Sequence, residues 1–274
     1  MIAKIKPVFE EIIPPILIKA YRLIFNNKYG YFGNYSSWED ALKDSDGYDS
    51  DLILDKVRDS LLKVKEGKAV YERDSVLFDK IQYSWPVLAG LLRIASANKN
   101  KLSVLDFGGS LGSHYYQYKQ FLSDLDELRW SIVEQEKFVR CGKQLFGNEQ
   151  LKFYFDIETC LKHEQPDVIL LSSVIQYLEY PYGLLECLLD CNIKHIIFDR
   201  TSFIKGCRDR LTVQRVPPQI YDASYPAWFF NLDKFMSFFS DKYQLLLEFD
   251  ALAGLIPLTD TYAEDKGFIF RKTK

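Results

Sequence analysis

Val104-Leu105-Asp106-Phe107-Gly108-Gly109-Ser110-Leu111-Gly112 is the stretch that decides the fold of this chain. The apolar run Leu102–Phe107 reads as a strand and breaks into a glycine-rich turn. Ser113-His114-Tyr115-Tyr116-Gln117-Tyr118 then opens a helix. A strand feeding a glycine turn and a helix is a nucleotide-cofactor loop. Glycine lets backbone approach a ligand and take conformations closed to other residues. A dinucleotide loop would follow G-x-G-x-x-G. Started at Gly108, that register puts Ser110 and Ser113 on the second and third glycine positions. Started at Gly109, it puts Leu111 and His114 there, so both registers fail. Asp106 stands at the strand end, where a carboxylate can accept hydrogen bonds from a cationic amino-acid group.

Asp106, Gly108, Ser110 and Gly112 instead resemble the acid-x-Gly-x-Gly-x-Gly motif of class I S-adenosylmethionine-dependent methyltransferases, with Ser110 replacing the middle glycine. The resemblance implies that Asp106, Gly108, Gly109, Ser110 and Gly112 hold S-adenosylmethionine. Trp130-Ser131-Ile132-Val133-Glu134 reads as a second strand ending in an acid, 134 − 106 = 28 positions after Asp106. A carboxylate at that strand end can accept both protons of a ribose diol, and Glu134 is the candidate.

From Leu102 onward strand and helix patterns alternate, which predicts a parallel α/β sheet. The expected strands are 102–107, 130–134, 151–155, 167–172, 194–199, 243–250 and 267–271, the last two as an antiparallel pair at the sheet edge. The resemblance implies a Rossmann-like seven-stranded class I methyltransferase sheet with a reversed last strand. Residues 1–100 read as an N-terminal helical appendage and 101–274 as the methyltransferase domain. Within the appendage, Ser36 or Ser37 can cap a short helix over 37–42. Asp49 or Ser50 can start a helix running to Lys65, before Gly67. Pro86 suits the first turn of a helix ending near Ala97, with Ser84 as its cap. Residues 202–229 read as a long irregular, lid-like insertion before a helix at 232–240; the arginines 208, 210 and 215 there suit phosphate or carboxylate recognition.

The chain has 274 residues, 47% of them hydrophobic and 15% aromatic, with a net charge of −3. That suffices for a large core and, without a basic run, argues against a nucleic-acid partner. The five cysteines form no C-x-x-C, there are three histidines, and no metal site is expected. Cys187 and Cys191 share a helix face and read as small buried residues. The odd cysteine count points to a reducing, cytoplasmic setting. Near the N-terminus, Pro14-Pro15 interrupts an apolar stretch too short to span a membrane. From Pro15 it can form an amphipathic helix, with Ile16, Leu17, Ala20, Leu23 and Ile24 on one face. That face has two readings: packing on the domain or on the partner of a homodimer, or peripheral contact with the inner membrane face.

Tyr31 to Ala41, Gly47-Tyr48-Asp49, Tyr71 to Ser75, Leu105 to Tyr115, Asp199-Arg200-Thr201 and Tyr221 to Trp228 together resemble one group of methyltransferases encoded in bacterial surface-polysaccharide clusters. The resemblance implies a small-molecule acceptor, a sugar or activated-sugar intermediate. It also implies that Asp156 approaches the adenine amino group and Ile157 the ring face, and that cofactor and acceptor meet around Ser172, Gln176 and Tyr177. A sugar hydroxyl requires a proton acceptor, and histidine is the side chain that exchanges protons near neutral pH. His114 is therefore the first catalytic candidate, Asp199 and Asp222 are the others, and Tyr177 can orient the acceptor. Three alternatives stay open: a degenerate methyltransferase fold serving as a binding or scaffold protein, another small-molecule or lipid-linked acceptor, and a nicotinamide dehydrogenase, which the loop register disfavours.

Overall fold

The computed structural model describes residues 28–47, 50–218 and 220–273. The amphipathic segment after Pro15 lies outside them.

Period-2 alternation builds the centre. In β4 (Lys101–Phe107), Val104 faces one side of the sheet and Leu105 the other. Ile132 and Val133 of β5 (Glu127–Val133) divide in the same way, as do Leu170 and Leu171 of β7 (Val168–Ser172). Both faces are therefore buried, as a parallel sheet covered by helices requires. With β6 (Leu151–Tyr154), β8 (His195–Ile204), β11 (Tyr243–Pro257) and β12 (Tyr262–Lys272), the order is β6-β5-β4-β7-β8-β12-β11. The first five are mutually parallel; β12 runs antiparallel to both β8 and β11. This is the Rossmann-like α/β arrangement, with all seven expected strands. The order turns back between β4 and β7, and ligands of such sheets bind beyond the strand ends at that switch.

One face is covered by α2 (Ser50–Lys65), α3 (Trp85–Ala97), α4 (Ser113–Leu122) and α5 (Glu136–Leu145). The other carries α6 (Ile157–His163), α7 (Pro181–Asp190) and α8 (Leu232–Ser237), packed with a cluster of phenylalanines that includes Phe198, Phe203, Phe230, Phe235 and Phe268. Each such ring removed from water contributes roughly 1.5–3 kcal/mol. The short helix α1 (Trp38–Lys43) begins as expected, with Ser37 Oγ accepting from the Asp40 amide at 3.2 Å. Ser84 stands at the N-terminus of α3 but makes no side-chain cap.

Two features depart from expectation. The region 202–229 is largely strand, not irregular loop. β8 runs on to Ile204, followed by β9 (Arg210–Arg215) and β10 (Ser224–Asn231). β10 pairs in parallel with the tip of β8, at Phe203 and Ile204, beyond the end of β7. β9 pairs with β10, and β1 (Gly30–Tyr35), from the N-terminal region, pairs with β9. The sheet thus has ten strands, and the added three lie past the carboxyl end of β7 as a roof. Leu211, Thr212, Val213 and Gln214 carry the strand alternation, which the surrounding prolines and aromatics obscure in the sequence. Secondly, Cys187 on α7 is exposed and Cys191, just past its end, is half-buried, so the expected burial of the pair does not hold. Among the described residues, no helix is long and apolar enough to cross a membrane.

Candidate functional site

A cleft of about 640 Å³ opens between the carboxyl ends of β4, β5 and β7 and the roof, a size ordinary for a small-molecule site. Its floor is the glycine turn. Gly108 has φ 71°, and a Cβ there would fall 2.3 Å from a Val174 methyl. Gly112 has φ 109° and caps α4 without a side chain. Ser110 takes φ 56°, conformationally the glycine its position calls for, at a cost of roughly 1–3 kcal/mol. Ser173 (φ 54°), Arg200 (φ 51°) and the hairpin residues Asp74 and Ser75 (φ 51° and 66°) share that left-handed geometry around the same cleft. Backbone strain collected at one place is the mark of a site held in shape by its surroundings.

Gly109 serves a different purpose. A Cβ there would lie 2.5 Å from the carboxyl carbon of Asp106, so the turn rests directly on that side chain. Asp106 is fully buried and absent from the cleft wall. Its Oδ2 accepts from Trp130 Nε1 at 3.1 Å and faces His114 Nδ1 at 3.2 Å, while Oδ1 has no partner. The structure places Asp106 beneath the turn, against His114 and Trp130, and not in the cleft wall. With Nδ1 turned to the aspartate, Nε2 is the nitrogen His114 offers to the cleft it lines.

Glu134 lines the cleft where the sequence put it, one residue past β5. Burial pushes its carboxyl up to about 7, against the lowering effect of the Gln135 and Ser110 amides. The Gln135 amide donates to Oε2 at 2.6 Å. Asp156 does not reach the cleft. It caps α6, accepting from the Thr159 amide at 2.6 Å and from its hydroxyl at 2.9 Å; those two bonds hold its carboxyl below the ordinary range. Ile157 is buried in the phenylalanine-rich core. The residue of this strand end that lines the cleft is Phe155, 47% exposed, with Lys143 Nζ 4.7 Å from its ring centre. The helix starts so soon after β6 that Asp156 is taken up as its cap and Ile157 turns into the core, an effect strand spacing does not reveal.

Ser172 lines the cleft; its hydroxyl donates to Asp199 Oδ2 at 2.8 Å and accepts from Arg200 Nε at 3.2 Å. Asp199 lies behind it, buried, accepting from Ser84 Oγ at 3.1 Å; this bond is where the Ser84 hydroxyl goes instead of capping α3. Tyr177 is in the wall, its ring edge-on to Tyr225 at 5.3 Å, and burial raises its hydroxyl. Asp222 is exposed and outside the cleft. Of the three arginines of 202–229, none lines it: Arg210 is bound to Gly33 O and Asp260, and Arg215 lies over the Phe32 ring.

The cations of the cleft come from elsewhere. Arg200 is 17% exposed, between Asp74 at 3.5 Å and Asp199 at 3.9 Å. Burial would lower it, but the two carboxylates outweigh burial and keep it charged. Arg73 joins it from the hairpin of β2 (Tyr71–Arg73) and β3 (Val76–Phe78). Glu72 of the same hairpin is 2% exposed and raised by burial; it accepts from Ser113 Oγ at 2.6 Å and from the Ser75 amide at 2.7 Å. Sequence reasoning did not assign the hairpin a role. The roof supplies Gln214, whose Oε1 is buried without a partner, and the bonded pair Tyr221–Tyr225 at 3.1 Å.

No family model matches the chain, and no curated protein matches it. Solved structures do. Magnesium protoporphyrin IX methyltransferase (ChlM) from Synechocystis PCC 6803 with bound SAH aligns over 69% of this chain and 83% of its own, at 14% identity and a TM-score of 0.42. The N-terminal domain of EvdMO1, in the presence of SAH and D-fucose, aligns over 79% and 97%, at 13% and 0.44. An S-adenosylmethionine-dependent methyltransferase from Clostridium acetobutylicum ATCC 824 aligns over 67% and 89%, at 9% and 0.42.

Proposed function

We propose that this protein is an S-adenosylmethionine-dependent methyltransferase of the cytoplasm whose acceptor is a small molecule, a sugar or activated-sugar intermediate of surface glycan synthesis. The observation that carries the cofactor is the meeting, in one cleft at the sheet's switch point, of the glycine turn 108–112 with the Glu134 carboxylate. The residues present fit the group. Glu134 offers an acceptor for the ribose hydroxyls and Phe155 an apolar face for the adenine. The hairpin sequence Glu72-Arg73-Asp74 offers both signs of charge for a zwitterionic amino-acid end. Counted at full ionisation with His114 neutral, the lining carries Arg73 and Arg200 against Glu72, Asp74 and Glu134, or 2 − 3 = −1. That balance suits a ligand with one net positive charge.

When bound, S-adenosylmethionine supplies an electrophilic methyl group. The protein's own part is to align the acceptor, exclude water and remove a proton. Proton removal falls to His114, because Asp106 fixes its ring through Nδ1 and leaves Nε2 to accept. Ser172, Arg200 and Tyr177 form a wall of the cleft and hold it in shape. The acceptor class rests on the resemblance of residues 31–41, 71–75 and 221–228 to methyltransferases of surface-polysaccharide clusters. Calorimetric titration with S-adenosylmethionine, S-adenosylhomocysteine and NAD tests the cofactor. Micromolar binding of the first two and none of NAD is expected; the opposite result would refute the reading.

A further inference from the structure

A second cavity, of about 190 Å³, lies behind the β2–β3 hairpin. It shares Tyr71, Arg73, His114 and Arg200 with the cofactor cleft, so the two adjoin at these four side chains. We infer that this smaller cavity is the acceptor subsite and takes a single neutral, polyhydroxylated ring, such as a pyranoside. The inference rests on the methyltransferase reading above.

Four observations support it. The first is the aromatic pair Tyr83 and Trp85 in its lining, backed by Phe121 outside it. Tyr83 and Trp85 stand 4.8 Å apart between ring centres, and Phe121 meets them edge-on at 5.2 and 5.8 Å. Trp85 is 58% exposed and Phe121 39%, although the phenylalanines of the core are almost wholly covered. Exposed aromatics gathered at a cavity mouth mark a binding surface, and a flat ring face can receive the C–H face of a sugar.

The second is charge. Arg73 and Arg200 are balanced by Asp199 and Asp250, 2 − 2 = 0 with His114 neutral, so the lining favours neither a phosphate nor a cation. The polar groups are those that hydroxyls bond: guanidinium, carboxylate, the Gln82 amide and the Ser84 hydroxyl. The third is the outer wall. Between Asp250 and Leu255, β11 advances five positions while β12, from Lys266 to Glu264, advances two. The three extra residues bulge, and Asp250, Ala251 and Leu252 reach the cavity. A bulge that re-aims side chains at a pocket is a common device beside active sites. The fourth is His114, which lines both cavities and so can accept the proton of a hydroxyl held where the two meet, with the oxygen left free to face the methyl donor.

The test uses the full chain with S-adenosylhomocysteine and four probes: the methyl α-pyranosides of D-glucose, D-galactose, D-mannose and L-fucose. Saturation-transfer NMR at millimolar probe reads contact with the protein, and calorimetry reads S-adenosylhomocysteine in the same samples. The expected result is transfer to at least one probe. Trp85→Ala should weaken it about tenfold and Trp85→Phe should restore it, because the stacking face is what matters. Trp85 does not line the larger cleft, so both variants should bind S-adenosylhomocysteine as the parent does. No transfer to any of the four, or transfer indifferent to Trp85→Ala, overturns the subsite. Loss of S-adenosylhomocysteine binding in the parent protein overturns the cofactor reading instead, and the NMR result decides the cavity independently.

Discussion

Glu134 makes cofactor binding depend on pH, and the size of the effect can be worked out. In the free cleft its carboxyl titrates near 7, because burial disfavours the charge. A ribose diol donates two hydrogen bonds, and a carboxylate accepts both only after its proton has left. The proton must therefore go before or as the ligand binds. Binding strengthens as pH rises through about 7 and levels off above it. If the bound state is fully ionised, the apparent dissociation constant scales as 1 + 10^(pKa − pH). That factor is roughly 11 at pH 6 and roughly 1.1 at pH 8, so affinity should be about tenfold, or about 1.4 kcal/mol, weaker at pH 6. S-adenosylhomocysteine is the better probe, because without the sulfonium its affinity is less sensitive to the charge of His114. Calorimetric titration at pH 6, 7 and 8 measures the slope. Glu134→Gln should flatten it and cost about 1.5–3 kcal/mol at pH 8, the worth of a charge-assisted bond. Equal affinity at pH 6 and 8 would refute the reasoning. So would a slope that survives in Glu134→Gln, which would shift the assignment to Glu72, the other cleft carboxyl raised by burial.

Further outcomes separate the roles of neighbouring residues. Asp106→Asn removes the negative charge facing His114 without touching the cleft wall; turnover should fall about 10²–10⁴-fold while S-adenosylhomocysteine affinity, by calorimetry, changes less than about threefold. His114→Ala should lose turnover to a similar extent and should leave the Trp130 bond intact. Gly109→Ala drives a methyl into the Asp106 carboxyl carbon and should cost about 1–3 kcal/mol or more of folding stability in urea denaturation. Asp156→Ala should lower thermal stability through the lost cap, with cofactor affinity unchanged within about twofold.

The legibility of the chain divided along a physical line. Local signals were reliable: the strand, turn and helix over 102–122, the acid at the end of β5, and the Ser37 cap each depend on neighbours within a few residues. What stayed hidden depends on long-range placement. Asp106 looks like a ligand by its position in the motif, yet the indole of Trp130, twenty-four residues away, draws it under the turn. Asp156 and Phe155 differ by one place, and the early start of α6 decides which of them faces the cleft. Arg200 is an ordinary arginine in sequence; only the junction of β8, the hairpin and the β7 end buries it among carboxylates. Pro226 sits inside β10, where its partner Val213 lies on β9 and β8 joins β10 only later, at Phe230.

The roof has a consequence for how the chain is made. Gly30 pairs with Arg215, 215 − 30 = 185 positions away, so β1 leaves the ribosome long before its partner exists. Until β9 and β10 have formed, six residues with two glycines wait as an unpaired edge. A short, glycine-containing strand is a poor template for wrong partners, which makes the wait safe. Contacts of such separation form late, because loop closure must come before any reward. The roof over the cleft therefore closes late, and a nascent chain would hold the parallel strands β4 to β8 well before it could hold a ligand.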